Sequence, residues 1–187
     1  MMATGGDAVP PDPTVPVPPL VLVVMGVSGC GKSTVAALVA GRLGWTFADG
    51  DDFHSAESVA KMQAGIPLDD ADRAPWLARI AAWIAARVAA SAPAVMVCSG
   101  LRRRYRDTIT GGHPAVRIVY LEGSRTLIAA RLAQRAGHFM PPALLDSQFA
   151  ALEPPGPDEN PIIVGVAEPP DRIAAAVVSA VRAGSPS

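Results

Sequence analysis

The sequence predicts an α/β protein, a three-layer α/β/α arrangement around a central parallel sheet of five strands with a small lid. Three observations carry this expectation. Short, β-branched, wholly apolar runs recur along the chain, as in strands buried on both faces of a parallel sheet. Stretches with helical spacing of apolar residues separate them, so strands and helices alternate. The first apolar run, LVLVVMG (Leu20–Gly26), leads directly into a glycine-rich loop and then a helix-like stretch.

Taken in order, residues 1–19 alternate Pro with small residues. Pro lacks the backbone donor that helices and central strands need, so a disordered or extended leader is expected. A single domain should then occupy 20–187. A helix is expected over Lys32–Leu43, where Val35, Leu38, Val39 and Leu43 keep helical spacing until Gly44 stops it. WTFAD (Trp45–Asp49) reads as a second strand ending in acids. A short helix covers about Ala56–Gln63, followed by the turn AGIPLDD. A long alanine-rich helix over about Arg73–Ala90 has Trp76, Ile80, Trp83, Ile84 and Val88 as its apolar stripe. AVMVCSG (Ala94–Gly100) is a third strand, and a basic helix is expected over Arg102–Thr110. VRIVYLEG (Val116–Gly123) is a fourth strand, with a helix to follow over about Arg125–Arg135. AGHFMPP (residues 136–142) interrupts as the lid. A short helix over Ala143–Leu152, the strand IIVGV and a terminal helix complete the chain.

Composition narrows the function. The 187 residues are 50% hydrophobic with a formal net charge of −1, enough apolar material for one core and no electrostatic footprint for nucleic acid or an anionic membrane. A small molecule is the expected partner. Two cysteines, Cys30 and Cys98, make no disulfide framework. No apolar run approaches a bilayer span, and the leader has no basic segment ahead of an apolar core, so a cytoplasmic location is expected.

Four segments carry chemistry. MGVSGCGKST (Met25–Thr34) has Gly, four residues, then Gly-Lys-Ser between a strand and a helix. Such a loop, with Gly26, Ser28, Gly29, Cys30, Gly31, Lys32, Ser33 and Thr34, holds nucleotide phosphates on backbone N–H groups and the positive end of the helix. Lys32 reaches the outer phosphates, and the Ser33 hydroxyl is placed to coordinate Mg²⁺. The sixteen basic residues include only two lysines, Lys32 and Lys61. A chain that otherwise uses Arg keeps the compact ammonium where a planar guanidinium does not fit. Cys30 reads as a small loop residue rather than a nucleophile.

DGDDFH (Asp49–His54) leaves the second strand at its carboxyl end, where ligands bind in open α/β sheets. Asp51 is the candidate acceptor for the proton of an attacking hydroxyl, and Asp49 can hold water on the metal. His54 can hydrogen-bond a substrate hydroxyl. CSGLRRRYRD (Cys98–Asp107) leaves another strand's carboxyl end. Arg102, Arg103, Arg104 and Arg106 cannot all face one site, because residues one or two apart on a helix point in different directions. Arg102 and Arg103 are the candidates for a substrate carboxylate, which a guanidinium matches with two bonds. In SRTLIAARLAQRAGHFMPP (residues 124–142), Arg131 and Arg135 lie four apart and lead into the lid. Cations delivered by a closing lid stabilise charge on a transferring phosphoryl group and exclude water.

GVSGCGKST, DGDDFH, KMQAGIPLDDADRAPWL, CSGLRRRYRD, GHFMPPALLDSQFAALEPP and DENPIIV, in this order and spacing, resemble the gluconokinases of the shikimate-kinase-like group of P-loop kinases. The resemblance spans Val21–Val181. It implies a P-loop kinase fold, ATP-dependent phosphorylation of D-gluconate at its 6-hydroxyl to give 6-phospho-D-gluconate, Mg²⁺, and usually a homodimer. Gly26, Gly29, Gly31, Lys32, Ser33 and Thr34 match the family's phosphate loop. Asp49, Asp51 and His54 match its acidic segment, and Arg131, Arg135, Gly137 and His138 match its lid region, with His138 on the substrate. The sequence departs at Ser55, where Pro is common, at Gly100, where Ala is usual, and at Arg102-Arg103, where two lysines are usual. Another small hydroxy-acid or nucleotide acceptor is the nearest alternative. A nucleotide-dependent switch is the alternative outside enzymes, but no Asn-Lys-x-Asp base-reading segment is present.

Overall fold

The structure is a computed structural model that describes residues 20–134 and 142–183. The expected leader, and Arg135, Gly137, His138 and nearly all of the expected lid, lie outside the described residues.

Five strands form one sheet in the order β2-β3-β1-β4-β5, and every pairing is parallel. They are β1 (Val21–Met25), β2 (Thr46–Asp49), β3 (Ala94–Val97), β4 (Val116–Glu122) and β5 (Ile162–Gly165). The helices are α1 (Lys32–Leu43), α2 (Ala56–Gln63), α3 (Asp70–Ala89), α4 (Arg103–Thr110), α5 (Arg125–Ala133), α6 (Pro142–Ala151) and α7 (Pro170–Ala183).

Both faces of β1 are buried because successive side chains of a strand point to opposite sides. Leu22 and Val24 pack with Val35, Val39, Ile128, Ile173 and Val177, on the side of α1, α5 and α7. Val21, Val23 and Met25 pack with Trp76, Ile80, Ile84 and Ile109, on the side of α3 and α4. These are the two outer layers. Among the described residues no helix is long and apolar enough to cross a membrane.

Most elements lie where the sequence puts them, and α1 and α2 agree residue for residue. α3 starts at Asp70, three residues before the expected start at Arg73. Asp69 accepts from the Asp72 N–H at 2.8 Å while the Asp72 side chain accepts from the Asp69 N–H at 3.1 Å. This reciprocal cap satisfies two donors that the helix leaves free, so its start is set by polar residues ahead of the stripe.

β1 lies between β3 and β4, while α1 carries the chain across to β2 beyond β3. The strand order therefore reverses at the carboxyl end of β1, where such sheets open a ligand crevice. Register aligns Val24 and Asp49 with Val97, bringing the loops after β1, β2 and β3 to one edge.

Candidate active site

The loop after β1 turns on glycines. Gly29 has φ +83°, and a Cβ there would meet the Leu132 side chain at 2.7 Å. Gly31 caps α1 in the left-handed region at φ 98°, with no side-chain cap and no acid in the helix's first turn. The positive end of α1 is thus left open to an anion. Lys32 Nζ donates to the Val27 carbonyl at 3.1 Å, which folds the ammonium over the loop. The Cys30 thiol is buried, and burial raises its pKa despite Lys32 nearby, so it stays a protonated packing group. The Cys30 N–H donates to Val27 at 3.3 Å.

Asp49, at the end of β2, faces two ways. Its Oδ1 accepts from the Asp51 N–H at 3.1 Å and caps a 3-10 turn over Gly50–Phe53, while its Oδ2 lies 3.5 Å from the Ser33 hydroxyl. A hydroxyl and a carboxylate, both hard oxygen donors beside a phosphate loop, suit Mg²⁺. Gly50 is buried, and a Cβ there would lie 2.5 Å from the Val97 carbonyl, so only glycine lets the turn sit this close to β3. Burial raises the Asp51 pKa, the Asp49 charge adds to it, and His54 and Lys32 oppose.

His54 closes the same turn. Its ring stacks on the Trp76 indole, with centroids 4.5 Å apart and planes 8° from parallel, and Trp76 Nε1 donates to the Gly50 carbonyl at 2.7 Å. Burial lowers the His54 pKa against the pull of Asp51, with Arg79 and Arg73 adding to the fall. This favours a neutral imidazole.

The four arginines after β3 separate as helical geometry requires. Arg106 is buried and forks onto Glu159 through Nε at 2.6 Å and a second nitrogen at 2.9 Å. It also donates to the carbonyls of Gly100 and Glu153 at 3.0 and 2.9 Å, tying the loop after β3 to the segment before β5. Arg104 pairs with Asp70 at 2.6 Å and lies over the Tyr105 ring. Arg103 pairs with Asp158 at 2.6 Å. Arg102 stands at the N-cap of α4, and its side chain has no hydrogen bond or ion pair among the described residues. Of the two candidates for a substrate carboxylate, Arg102 is thus held by no bond, although its charge acts on Asp70, and Arg103 is engaged. Arg131 donates to the Val166 carbonyl after β5. The structure brings Gly26–Thr34, Asp49, Asp51 and His54 to one edge; Arg135 and His138 lie outside the described residues.

Three contributors went unread in the sequence. Trp76 appears there as a stripe residue and inside a quoted motif, and Glu159 and Gln148 only within quoted motifs, none of them with a role. Gln148 makes two hydrogen bonds to Ser28, and only its place in that selective segment could have signalled it.

A parallel sheet in this order, a glycine loop feeding a helix, and a Ser–Asp–Asp array beside it define a P-loop kinase acting on a small molecule. Comparison with known proteins makes the assignment finer. A family model described as an AAA domain matches residues 21–155. The chain is 50% identical over 153 residues to a protein of Gluconobacter oxydans named "Gluconokinase", covering 82% of this chain and 86% of that one. It is 48% identical over 181 residues to a Mus musculus protein named "Probable gluconokinase", covering 88% and 98%. The solved structure of a gluconokinase from Sinorhizobium meliloti superposes with a TM-score of 0.80 at 41% identity, covering 89% of this chain and 93% of that one. The chain belongs to the gluconokinase family.

Proposed function

We propose that the protein transfers the γ-phosphoryl group of ATP to the 6-hydroxyl of D-gluconate, giving 6-phospho-D-gluconate and ADP. The observation that carries this reading is the placement of Asp51, a partly desolvated carboxyl with raised proton affinity, on the turn that Asp49 caps, with Asp49 itself beside Ser33 of the phosphate loop. Its raised affinity makes Asp51 a better acceptor for the hydroxyl proton as the oxygen attacks in line. Lys32 follows charge onto the outer phosphates, exchanging the Val27 carbonyl for a phosphate oxygen. Arg131 would exchange Val166 in the same way.

Ser33, with Asp49 through a water, would hold Mg²⁺, which when bound neutralises phosphate charge. The neutral His54, held flat on Trp76, offers a ring nitrogen to an acceptor hydroxyl. Arg102 supplies the guanidinium for the gluconate carboxylate, with Arg103 beside it on the engaged side. Arg135 and His138 join the site on the strength of the family resemblance. A homodimer and a cytoplasmic location complete the reading, the first testable by sedimentation.

Phosphorus NMR of the product tests the regiochemistry. A phosphate ester on the primary 6-hydroxyl couples to the two protons of its carbon and appears as a triplet. A doublet would place the phosphate on a secondary hydroxyl and overturn the 6-hydroxyl assignment.

A further inference from the structure

α6 reaches back to the phosphate loop through one side chain. Gln148 Oε1 accepts the Ser28 backbone N–H at 2.7 Å, and Gln148 Nε2 donates to the Ser28 hydroxyl at 3.0 Å. A backbone N–H can only donate, so the amide oxygen must face it and the amide nitrogen must face the hydroxyl. That in turn sets the polarity of the hydroxyl. Ser28 Oγ accepts from Gln148, so its own proton is directed elsewhere, and no acceptor for it is found among the described residues.

Lys32, the residue that reaches the outer phosphates, has its Nζ at 3.1 Å from the carbonyl of Val27, the group bonded directly to the Ser28 nitrogen. Ser28 thus follows directly on the residue that holds the ammonium, in the stretch of the loop beside which the terminal phosphate of ATP would lie. Phosphate oxygens only accept, which complements a hydroxyl whose proton is still unspent. The helix that carries Gln148 is fixed separately, since Leu145 is buried and Phe149 packs against the same core.

We infer that Gln148 is a positioning residue for the nucleotide: it holds Ser28 so that the hydroxyl donates to the γ-phosphoryl group, a contact that ATP can make and ADP cannot. The inference rests on the kinase reading of the loop and is independent of which acceptor is used.

Nucleotide binding to the full chain tests it without any acceptor. The affinities of ADP and of the β,γ-imido analogue of ATP, both with Mg²⁺, are measured by titration calorimetry for the unsubstituted chain, Ser28→Ala, Gln148→Leu, Gln148→Glu and the double variant Ser28→Ala/Gln148→Leu. A hydrogen bond to a charged group corresponds to about tenfold or more in affinity, so Ser28→Ala should weaken the analogue by roughly that factor and ADP by less than about twofold. Gln148→Leu should weaken the analogue in the same selective way. Gln148→Glu should be the most severe, because its second oxygen draws the Ser28 proton away from the nucleotide and sets a negative charge beside the phosphates. The double variant should bind the analogue no worse than Ser28→Ala. Equal weakening of both nucleotides, or Gln148→Glu binding the analogue as tightly as the unsubstituted chain, would overturn the inference. Should Gln148→Glu fail to fold, Ser28→Ala and Gln148→Leu decide the matter alone. No binding of either nucleotide by the unsubstituted chain would instead overturn the kinase reading, and this inference with it.

Discussion

Replacing Arg106 by Met should be among the most damaging single changes outside the phosphate loop. The Arg106 side chain is 2% exposed and its partner Glu159 8%, and the pair is joined by two hydrogen bonds of 2.6 and 2.9 Å. Met fills much of the volume but leaves Glu159 as a buried carboxylate without its cation. Breaking such a pair from one side costs about 3–5 kcal/mol. The carbonyls of Gly100 and Glu153 lose the same donor, which places the expected loss in the upper part of that range. For a domain of this size the loss corresponds to a fall in Tm of roughly 10–20 °C.

Urea denaturation of the full chain at neutral pH measures the effect. The double variant Arg106→Met/Glu159→Gln should recover more than about 1 kcal/mol of it, because no uncompensated charge remains. The pH dependence carries a sign. The hydrogen bond from Arg106 holds the Glu159 carboxyl below its ordinary value of 4.5, against burial. The pair's contribution is therefore complete above that value and is lost as pH falls through the depressed one, so the gap between native and Arg106→Met should close in acid. A loss under about 1 kcal/mol, or a gap that widens in acid, would mean that Arg106 and Glu159 do not act as a buried pair.

Asp51→Asn should lower kcat by about 10²–10⁴-fold with ATP affinity nearly intact, checked by steady-state kinetics. Because the Asp51 pKa is raised, the acid limb of the native pH–rate profile should lie above the ordinary carboxylate value of 3.8. The charged carboxylate costs stability above its folded pKa and nothing below 3.8, so Asp51→Asn should also raise Tm at neutral pH. Arg102→Ala should raise KM for gluconate about tenfold or more with KM for ATP little changed, and an unchanged KM in both Arg102→Ala and Arg103→Ala would remove this segment from carboxylate recognition. Gly50→Ala must push against the Val97 carbonyl, and should cost about 1–3 kcal/mol in denaturation and lower kcat by displacing the turn between Asp49 and Asp51.

The part of the site built from local signals was legible in the sequence. The apolar run of β1, the glycine loop and α1 each declare themselves within a dozen residues, and parallel topology places DGDDFH at the same edge. What depends on distant partners was not. Four arginines in five positions look alike in sequence; Arg106 is distinguished by Glu159, 53 residues further on. Nothing local says that the indole N–H of Trp76 supports the Gly50 carbonyl or that its ring carries His54. The start of α3 was misread because apolar periodicity begins at Trp76 while the cap is made by Asp69 and Asp72. Gln148 acts on Ser28 across 120 residues, a pairing that only the folded chain brings together.

Acceptor-dependent phosphoryl transfer to gluconate is the activity on which the roles of Asp51, Lys32 and Arg102 depend. Its most direct test is coupled ADP release from purified protein with Mg-ATP, comparing D-gluconate with shikimate, nucleoside monophosphates, other sugar acids and no acceptor. Turnover with gluconate well above all the others is the predicted result. Folded, ATP-binding protein that releases ADP no faster with gluconate than without an acceptor would contradict the account.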